Sequence, residues 1–516
     1  MARAPEARVL RDARPVGIVV RRRWGGAVAI LVAIGAWTTA APVAAQLPEA
    51  EDAFEHGDFR LARTLYDSVL KSDSLNPRAL YRLAVLDSWD GHLKQSLSGF
   101  VRLRRVEQSL DIAVAHARVL SWDGQTRWAE ALYDSVLAVD STRSDALAGR
   151  ARTVAWGGDL DRAERLWRSA LERYPDDPEI LVGLAQTLYW EGEPGLAESY
   201  IARARSLAPS DQTARDLFSL VRAERRPAIG FSSDDANDIE HNRFVSVAGY
   251  ASASLTSLLR GTVRASWRRN DLGGGLVGKS TGAEAWVVQS LRRASIRAGL
   301  GFRSLASDSG TRRFATVQAG LGIRPTTFTT IAVGYSRYPF DETALLVRRA
   351  FVWDELDLSA DLSPNPTLDL SFTANSAWLS DGNRRLIGSA TAMVGVARGV
   401  RVGAYARLMG YREANPGRGY FAPDRFAVGE SRVAYSWRRQ HWSLRLGGGL
   451  GAQKVGTGAA TQAEWHGDAT ISRSWRAVDE LSLVALYTNS ATARSGAEVT
   501  PTYRYWSVGL RMRRGF

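Results

Sequence analysis

At 516 residues, with 45% hydrophobic composition, the chain is too long for one ordinary core and must divide into two or more domains. The absence of cysteine excludes disulfides, thiolate metal sites, cysteine nucleophiles and acylation as a lipoprotein. A formal charge of +13 points toward acidic partners, but part of it sits at the extreme N-terminus and no basic run forms a nucleic-acid patch, so nucleic acid is not an expected partner.

Arg21, Arg22 and Arg23 precede an apolar run from Ala27 to Trp37, and the small residues Ala40 to Ala45 follow. Basic, apolar and small in that order predict a secretory signal peptide over residues 1–45, cleaved after Ala45. The alternative is a membrane anchor, but the apolar run falls short of the roughly 20 residues that span a bilayer. The long stretch before Arg21 suggests a true start codon further along. No later run is apolar and long enough for a membrane helix, so any insertion into a bilayer must use strands.

Residues 46–226 carry helical periodicity and an internal repeat. Trp89-Asp90-Gly91, Trp122-Asp123-Gly124, Trp156-Gly157-Gly158 and Trp190-Glu191-Gly192 recur at about 34 residues, the period of a helix-turn-helix repeat, and His56-Gly57 opens an earlier copy. Beyond each turn comes a small residue, Ala62, Ser96, Ala129, Ala163 or Ala197, where two helices can approach closely. A bulky one follows, Tyr66, Phe100, Tyr133, Trp167 or Ile201, to fill the groove between hairpins. Pro77, Pro178 and Pro209 are read as ending second helices. About five repeats are expected, closed by a last helix over Asp216 to Arg226. The four Trp residues are read as packing beneath the inter-helix turns rather than as a ligand rail. Such arrays bind proteins or peptides, which predicts a periplasmic protein partner.

After Pro227 the period changes to two. Trp506, Val508, Leu510, Met512 and Phe516 alternate with Tyr505, Ser507, Gly509, Arg511, Arg513 and Gly515. Ile296 to Arg303, Leu368 to Thr373 and Trp442 to Gly447 follow the same rule. About 16 such segments are present, each near or above the 9 to 11 residues of a tilted membrane strand. Short connections alternate with longer ones near Asp234 to Asn242, Asp271 to Lys279, Ala306 to Arg312, Pro339 to Arg349, Asp381 to Arg384, Glu413 to Asp424, Gly456 to Ala460 and Ala491 to Pro501. Trp267, Trp378, Trp437, Trp442, Trp475 and Trp506 fall near strand ends, where interfacial girdles belong. A soluble β-sandwich also alternates, but strand length and these aromatics favour a membrane barrel. The fold class is therefore multidomain α plus β: an N-terminal α-solenoid of TPR-like helical hairpins over 46–226, then an antiparallel transmembrane β-barrel of about 16 strands over 227–516.

Phe516, ending an alternating last strand, resembles the C-terminal signal by which the barrel-assembly machinery recognises outer-membrane proteins, with Arg514 where an apolar residue is usual. Repeats with Trp-x-Gly turns followed by a barrel resemble the YaiO family of outer-membrane proteins across nearly all of the mature chain. A loop motif of Gly419, Tyr420, Phe421, Ala422, Pro423, Asp424, Arg425 and Phe426 is similar to one in the outer-membrane subunit of cellulose export systems, which also place longer tetratricopeptide arrays before the barrel. These resemblances imply an outer-membrane location contacting lipid and lipopolysaccharide, with the repeats in the periplasm and a role in polysaccharide export.

No catalytic, cofactor-binding or metal-binding set emerges. Gly447 to Gly451 and Gly273 to Gly275 open no helix and are read as strand or loop glycines. The six histidines show no metal-ligand spacing. Asp234, Asp235, Asp238 and Glu240 are read as a solvated outer loop. Arg264, Arg268, Arg297, Arg303, Arg401, Arg407, Arg445, Arg511 and Arg513 fall on the non-lipid face of their strands. They would line a lumen that favours a polysaccharide or anionic solute, or be neutralised there by Glu355, Asp357, Asp361, Glu464 and Asp468 in a plugged, non-conducting barrel. The sequence thus favours a non-enzymatic pore or export component, with a non-conducting anchor for the repeats as the alternative.

Overall fold

In a computed structural model, the structure describes residues 43–516 apart from 366, 415–416, 476–477, 492, 494–495 and 498–502. The expected signal peptide lies almost wholly outside the described residues.

Eleven helices come first among them. Four successive hairpins pack side by side: α1 (Val43–Glu55) with α2 (Phe59–Ser72), α3 (Pro77–Trp89) with α4 (Leu93–Val106), α5 (Leu110–Trp122) with α6 (Thr126–Val139), and α7 (Ser144–Trp156) with α8 (Leu160–Arg173). They are followed at the same spacing by α9 (Pro178–Trp190), α10 (Pro194–Leu207) and α11 (Gln212–Arg225). Each hairpin turns at a glycine in the left-handed region, Gly57, Gly91, Gly124, Gly158 and Gly192, with φ between 76° and 92°. The repeat logic is visible in burial: Ala62, Ser96, Ala129, Ala163 and Ala197 are wholly buried, and so are Tyr66, Phe100, Tyr133, Trp167 and Ile201 to within 1%. Tyr133 and Trp167 each lie against a glycine of the following repeat. A Cβ on Gly149 would stand 2.4 Å from the Tyr133 ring, and one on Gly183 would stand 2.3 Å from Trp167.

The signature tryptophans each end the first helix of a hairpin. Trp122, Trp156 and Trp190 are half-buried, whereas Trp89 is 54% exposed and stacks on Phe54. Pro77 and Pro178 occupy a different place from the one expected. They begin α3 and α9, following caps in which the Asn76 and Asp177 side chains accept from backbone N–H groups. A first-turn N–H has no intrahelical partner, so proline costs nothing there.

From Ala228 the chain forms sixteen antiparallel strands closed into a barrel, each paired to its sequence neighbours, with the first strand paired to the last. They are β1 (Ala228–Asp238), β2 (Asn242–Ser254), β3 (Leu259–Leu272), β4 (Leu276–Leu291), β5 (Ala294–Ser307), β6 (Gly310–Thr326), β7 (Thr329–Pro339), β8 (Val352–Asn365), β9 (Leu368–Leu379), β10 (Arg384–Ala397), β11 (Val400–Tyr411), β12 (Phe426–Arg439), β13 (Trp442–Val455), β14 (Gln462–Ser474), β15 (Glu480–Thr488) and β16 (Tyr505–Gly515). Alternation puts Val263, Leu300, Phe302, Phe372, Leu408, Leu446 and Leu450 outside, each at least 42% exposed. Trp267, Trp378, Trp437, Trp442 and Trp506 share that outer face, and Trp475 is exposed in the β14–β15 turn. No described helix is long and apolar enough to cross a membrane.

One barrel end carries only short turns, and it is where β1 begins and β16 ends. At the other end three connections are long: β7–β8, which contains the helix α12 (Ala344–Arg349), β11–β12 and β15–β16. Three expected loops prove shorter than predicted: β5 and β6 leave only Asp308 and Ser309 of the one expected over Ala306 to Arg312. Asp234, Asp235 and Asp238 belong to β1, leaving Glu240 in a tight turn, and β3 and β4 are joined only by Gly273, Gly274 and Gly275. Polar composition misled there because the lumen face of a strand is polar as well.

Candidate functional site: the barrel lumen

Because paired residues point to the same side of a sheet, register decides which side chains enter the barrel. Arg264 pairs Glu284, Arg303 pairs Gly282, Arg407 pairs Ser389, and Arg511 pairs Ser232 and Ser482. Arg268, Arg297, Arg401, Arg445 and Arg513 share this inward parity. All nine arginines singled out from the sequence face the lumen, as do Glu355, Asp357, Asp361, Glu464 and Asp468. Turned outward into lipid, each arginine near mid-depth would cost about 2–4 kcal/mol.

The expected neutralisation takes another form. None of those five acids pairs with any of the nine arginines. Glu355 accepts from Tyr338 at 2.7 Å and lies 3.8 Å from Arg385, Asp357 accepts from Asn375 at 2.6 Å, and Asp361 accepts from Ser371 at 2.6 Å. Four arginines instead meet acids outside that set of five. Arg303 lies 3.2 Å from Glu284 and 2.7 Å from Asp341, and Arg268 lies 3.6 Å from Asp341. Arg401 pairs with Asp369, and Arg511 lies 2.5 Å from Asp234. Arg264, Arg297, Arg407, Arg445 and Arg513 have no carboxylate within ion-pair distance among the described residues. Five of the nine inward cations thus stand without a counter-ion among the described residues.

Asp341 is the hub of the inward-folded β7–β8 connection. It is 6% exposed and accepts from Ser280 Oγ at 2.6 Å and Arg303 Nη1 at 2.7 Å, while its backbone carbonyl accepts from Asn270 at 3.0 Å. Burial alone would raise its pKa, yet Arg303 and Arg268 hold it below the ordinary carboxylate value. Thr343 then caps α12, its Oγ1 accepting from Leu346 N at 3.2 Å. The helix rests on β3, β4 and β5, over Gly278, where a Cβ would come within 2.6 Å of Val347.

The loop motif Gly419, Tyr420, Phe421, Pro423 and Phe426 meets this segment. Tyr420, Phe421 and Phe426 join Phe340, Leu346, Trp353, Ile387, Met409 and Ala491 in one buried apolar cluster. Tyr420 also donates to Asp381 at 2.9 Å and accepts from Asn383 at 3.0 Å, while the Pro423 carbonyl accepts from Tyr411 N at 3.0 Å. Gly419 has φ 83° and abuts Leu345 so closely that a Cβ would stand 2.5 Å away. A second cluster sets Ala497 and Tyr503 of the β15–β16 connection against Ala236 of β1 and Phe244 of β2. The long-loop end is therefore packed with protein on the β1–β5 and β8–β12 sides.

Sequence reasoning allowed for a plugged barrel but missed the segment that packs this end. The available signal was an apolar stretch, Phe340 with Ala344 to Val347, in a connection otherwise expected to meet water. At the other terminus, Phe516 is 60% exposed just beyond β16, donates its N–H to the Pro227 carbonyl at 2.9 Å and lies under the Arg514 guanidinium, 5.6 Å from its ring centre.

Models of the tetratricopeptide repeat match residues 47–86 and 157–218. No curated protein matches the sequence. Among solved structures, a bacterial polysaccharide outer membrane secretin is similar at 13% identity and TM-score 0.46, over 57% of this chain and 99% of that one. A tetratricopeptide repeat protein from Parabacteroides merdae is similar at 18% identity and TM-score 0.34, over 36% and 73%. The type IV pilus biogenesis factor PilW is similar at 21% identity and TM-score 0.32, over 35% and 84%. By repeat model and by topology, the chain is a tetratricopeptide array followed by a closed sixteen-stranded antiparallel barrel.

Proposed function

We propose that this chain is a non-enzymatic outer-membrane pore or export component. Its repeats stand in the periplasm to dock a protein partner, and its lumen takes an acidic envelope polysaccharide or another anionic solute. The observation that carries this reading is the set of five inward arginines without a counter-ion, since a purely structural lumen gains by pairing its charges. The outward apolar belt with its tryptophans fits lipid and lipopolysaccharide, and a terminal Phe516 fits insertion by the barrel-assembly machinery. Short turns at the end where β1 begins support a periplasmic origin for the preceding array, delivered there by the signal peptide.

A second reading, in which the barrel only anchors the repeats, is favoured by the packed loop end. One recording separates them. In planar bilayers, the export reading expects channel events that an acidic polysaccharide such as alginate blocks and neutral dextran of equal size does not. The anchor reading expects no events, even after the β7–β8 connection is cut out.

A further inference from the structure

We infer that the inner wall of β12, β13 and β14 is a divalent metal site formed by Glu430, Glu464 and His466. The sequence hides it, because Glu430 lies far along the chain from the other two and β13 supplies no ligand. Register brings them together. Glu430 pairs Gly451, which pairs Glu464, and Arg432 pairs Gly449, which pairs His466. Those two glycines leave a side-chain-free track across which residues of β12 and β14 meet. A Cβ on Gly449 would stand 2.4 Å from the His466 ring and 2.7 Å from Glu430 Oε2.

One ligand atom from each of the three residues lies within 4.8 Å of the others. Glu464 is 1% exposed, and neither of its carboxylate oxygens has a protein hydrogen-bond partner. An ionised carboxylate buried without a partner is costly, and a bound cation removes that cost. Glu430 is oriented from behind by Arg432, whose Nε donates to Oε2 at 2.8 Å, while His466 Nδ1 lies 3.2 Å from the same oxygen. Two carboxylates and an imidazole suit a first-row divalent ion of the zinc type, with one coordination position left open to the lumen. Such an ion would pin β12 to β14 where β13 has no side chains to do so.

The test uses the untagged full chain in detergent, stripped with a chelator and titrated with Zn2+ against a fluorescent chelator, with bound metal counted by mass spectrometry. One equivalent is expected in the wild type and in the distant control His441→Gln. Glu464→Gln and His466→Gln should each bind at least tenfold more weakly. No bound equivalent, or unchanged affinity in both variants, overturns the site. If Glu464→Gln loses heat-modifiable migration and so has not folded, His466→Gln with Co2+ decides the matter. Loss of the visible ligand-field bands supports ligation by His466, and an unchanged spectrum refutes it.

Discussion

Replacing Asp341 with Asn should free the β7–β8 connection from the wall. The two side chains are nearly the same size, so the bond to Ser280 Oγ can persist while both ionic contacts, to Arg303 at 2.7 Å and Arg268 at 3.6 Å, are lost. Removing one partner of a buried ion pair costs about 3–5 kcal/mol. Here Glu284 still holds Arg303 at 3.2 Å and Arg268 is about one quarter exposed, so the bottom of that range, about 3 kcal/mol, applies. At about 1.4 kcal/mol per decade, the equilibrium between docked and undocked loop shifts by roughly 100-fold. Channel recordings of wild type and variant at matched protein density read this as open probability, and protease accessibility of Arg348 and Arg349 reads it independently. Equal open probability and equal cleavage in the two proteins would refute Asp341 as the latch.

Gly183→Ala should destabilise the helical array, because the new Cβ meets a fully buried Trp167 that has no room to retreat. Overpacking of about 1–3 kcal/mol outweighs a helix-propensity gain of about 1 kcal/mol, and a lower midpoint for the ellipticity at 222 nm in urea checks it. His116 is buried against Phe100, and that burial, reinforced by Arg104, pushes its pKa down to about 4. Its folded-state pKa lies below the unfolded 6.5, so its contribution is whole above pH 6.5 and is lost as pH falls toward 4. The loss approaches about 3 kcal/mol, and His116→Phe should flatten the pH dependence of the urea midpoint across that window. Gly91→Ala forces a Cβ onto φ 80° and should cost about 1 kcal/mol in the same assay.

Local periodicity made most of the architecture legible. The burial of Ala129, Ala163, Tyr133 and Trp167 follows from the 34-residue repeat, and the inward aim of Arg264 or Arg445 follows from alternation, because both are properties of neighbouring residues. What stayed hidden depends on partners distant in sequence. Asp341 reads as one more loop acid until Arg268, Asn270, Ser280 and Arg303 converge on it from three strands. Glu464 and Asp468 seemed suited to neutralise arginines, but register sets them across the glycine track of β13 instead, where Asp468 fills the space a side chain on Gly447 would need. Asp234 looked like a loop residue and proves to be the inward counter-ion of Arg511. Pattern gives the face a residue occupies, whereas charge pairing depends on strand register and on how loops fold back.

The most direct test of an anion-attracting lumen is the reversal potential of the purified protein, with the latch released by Asp341→Asn, under a tenfold KCl gradient. The account predicts chloride selectivity that falls toward neutrality when Arg264, Arg297 and Arg445 are all replaced by Gln. Cation selectivity, or anion selectivity unaltered by the triple replacement, would contradict it.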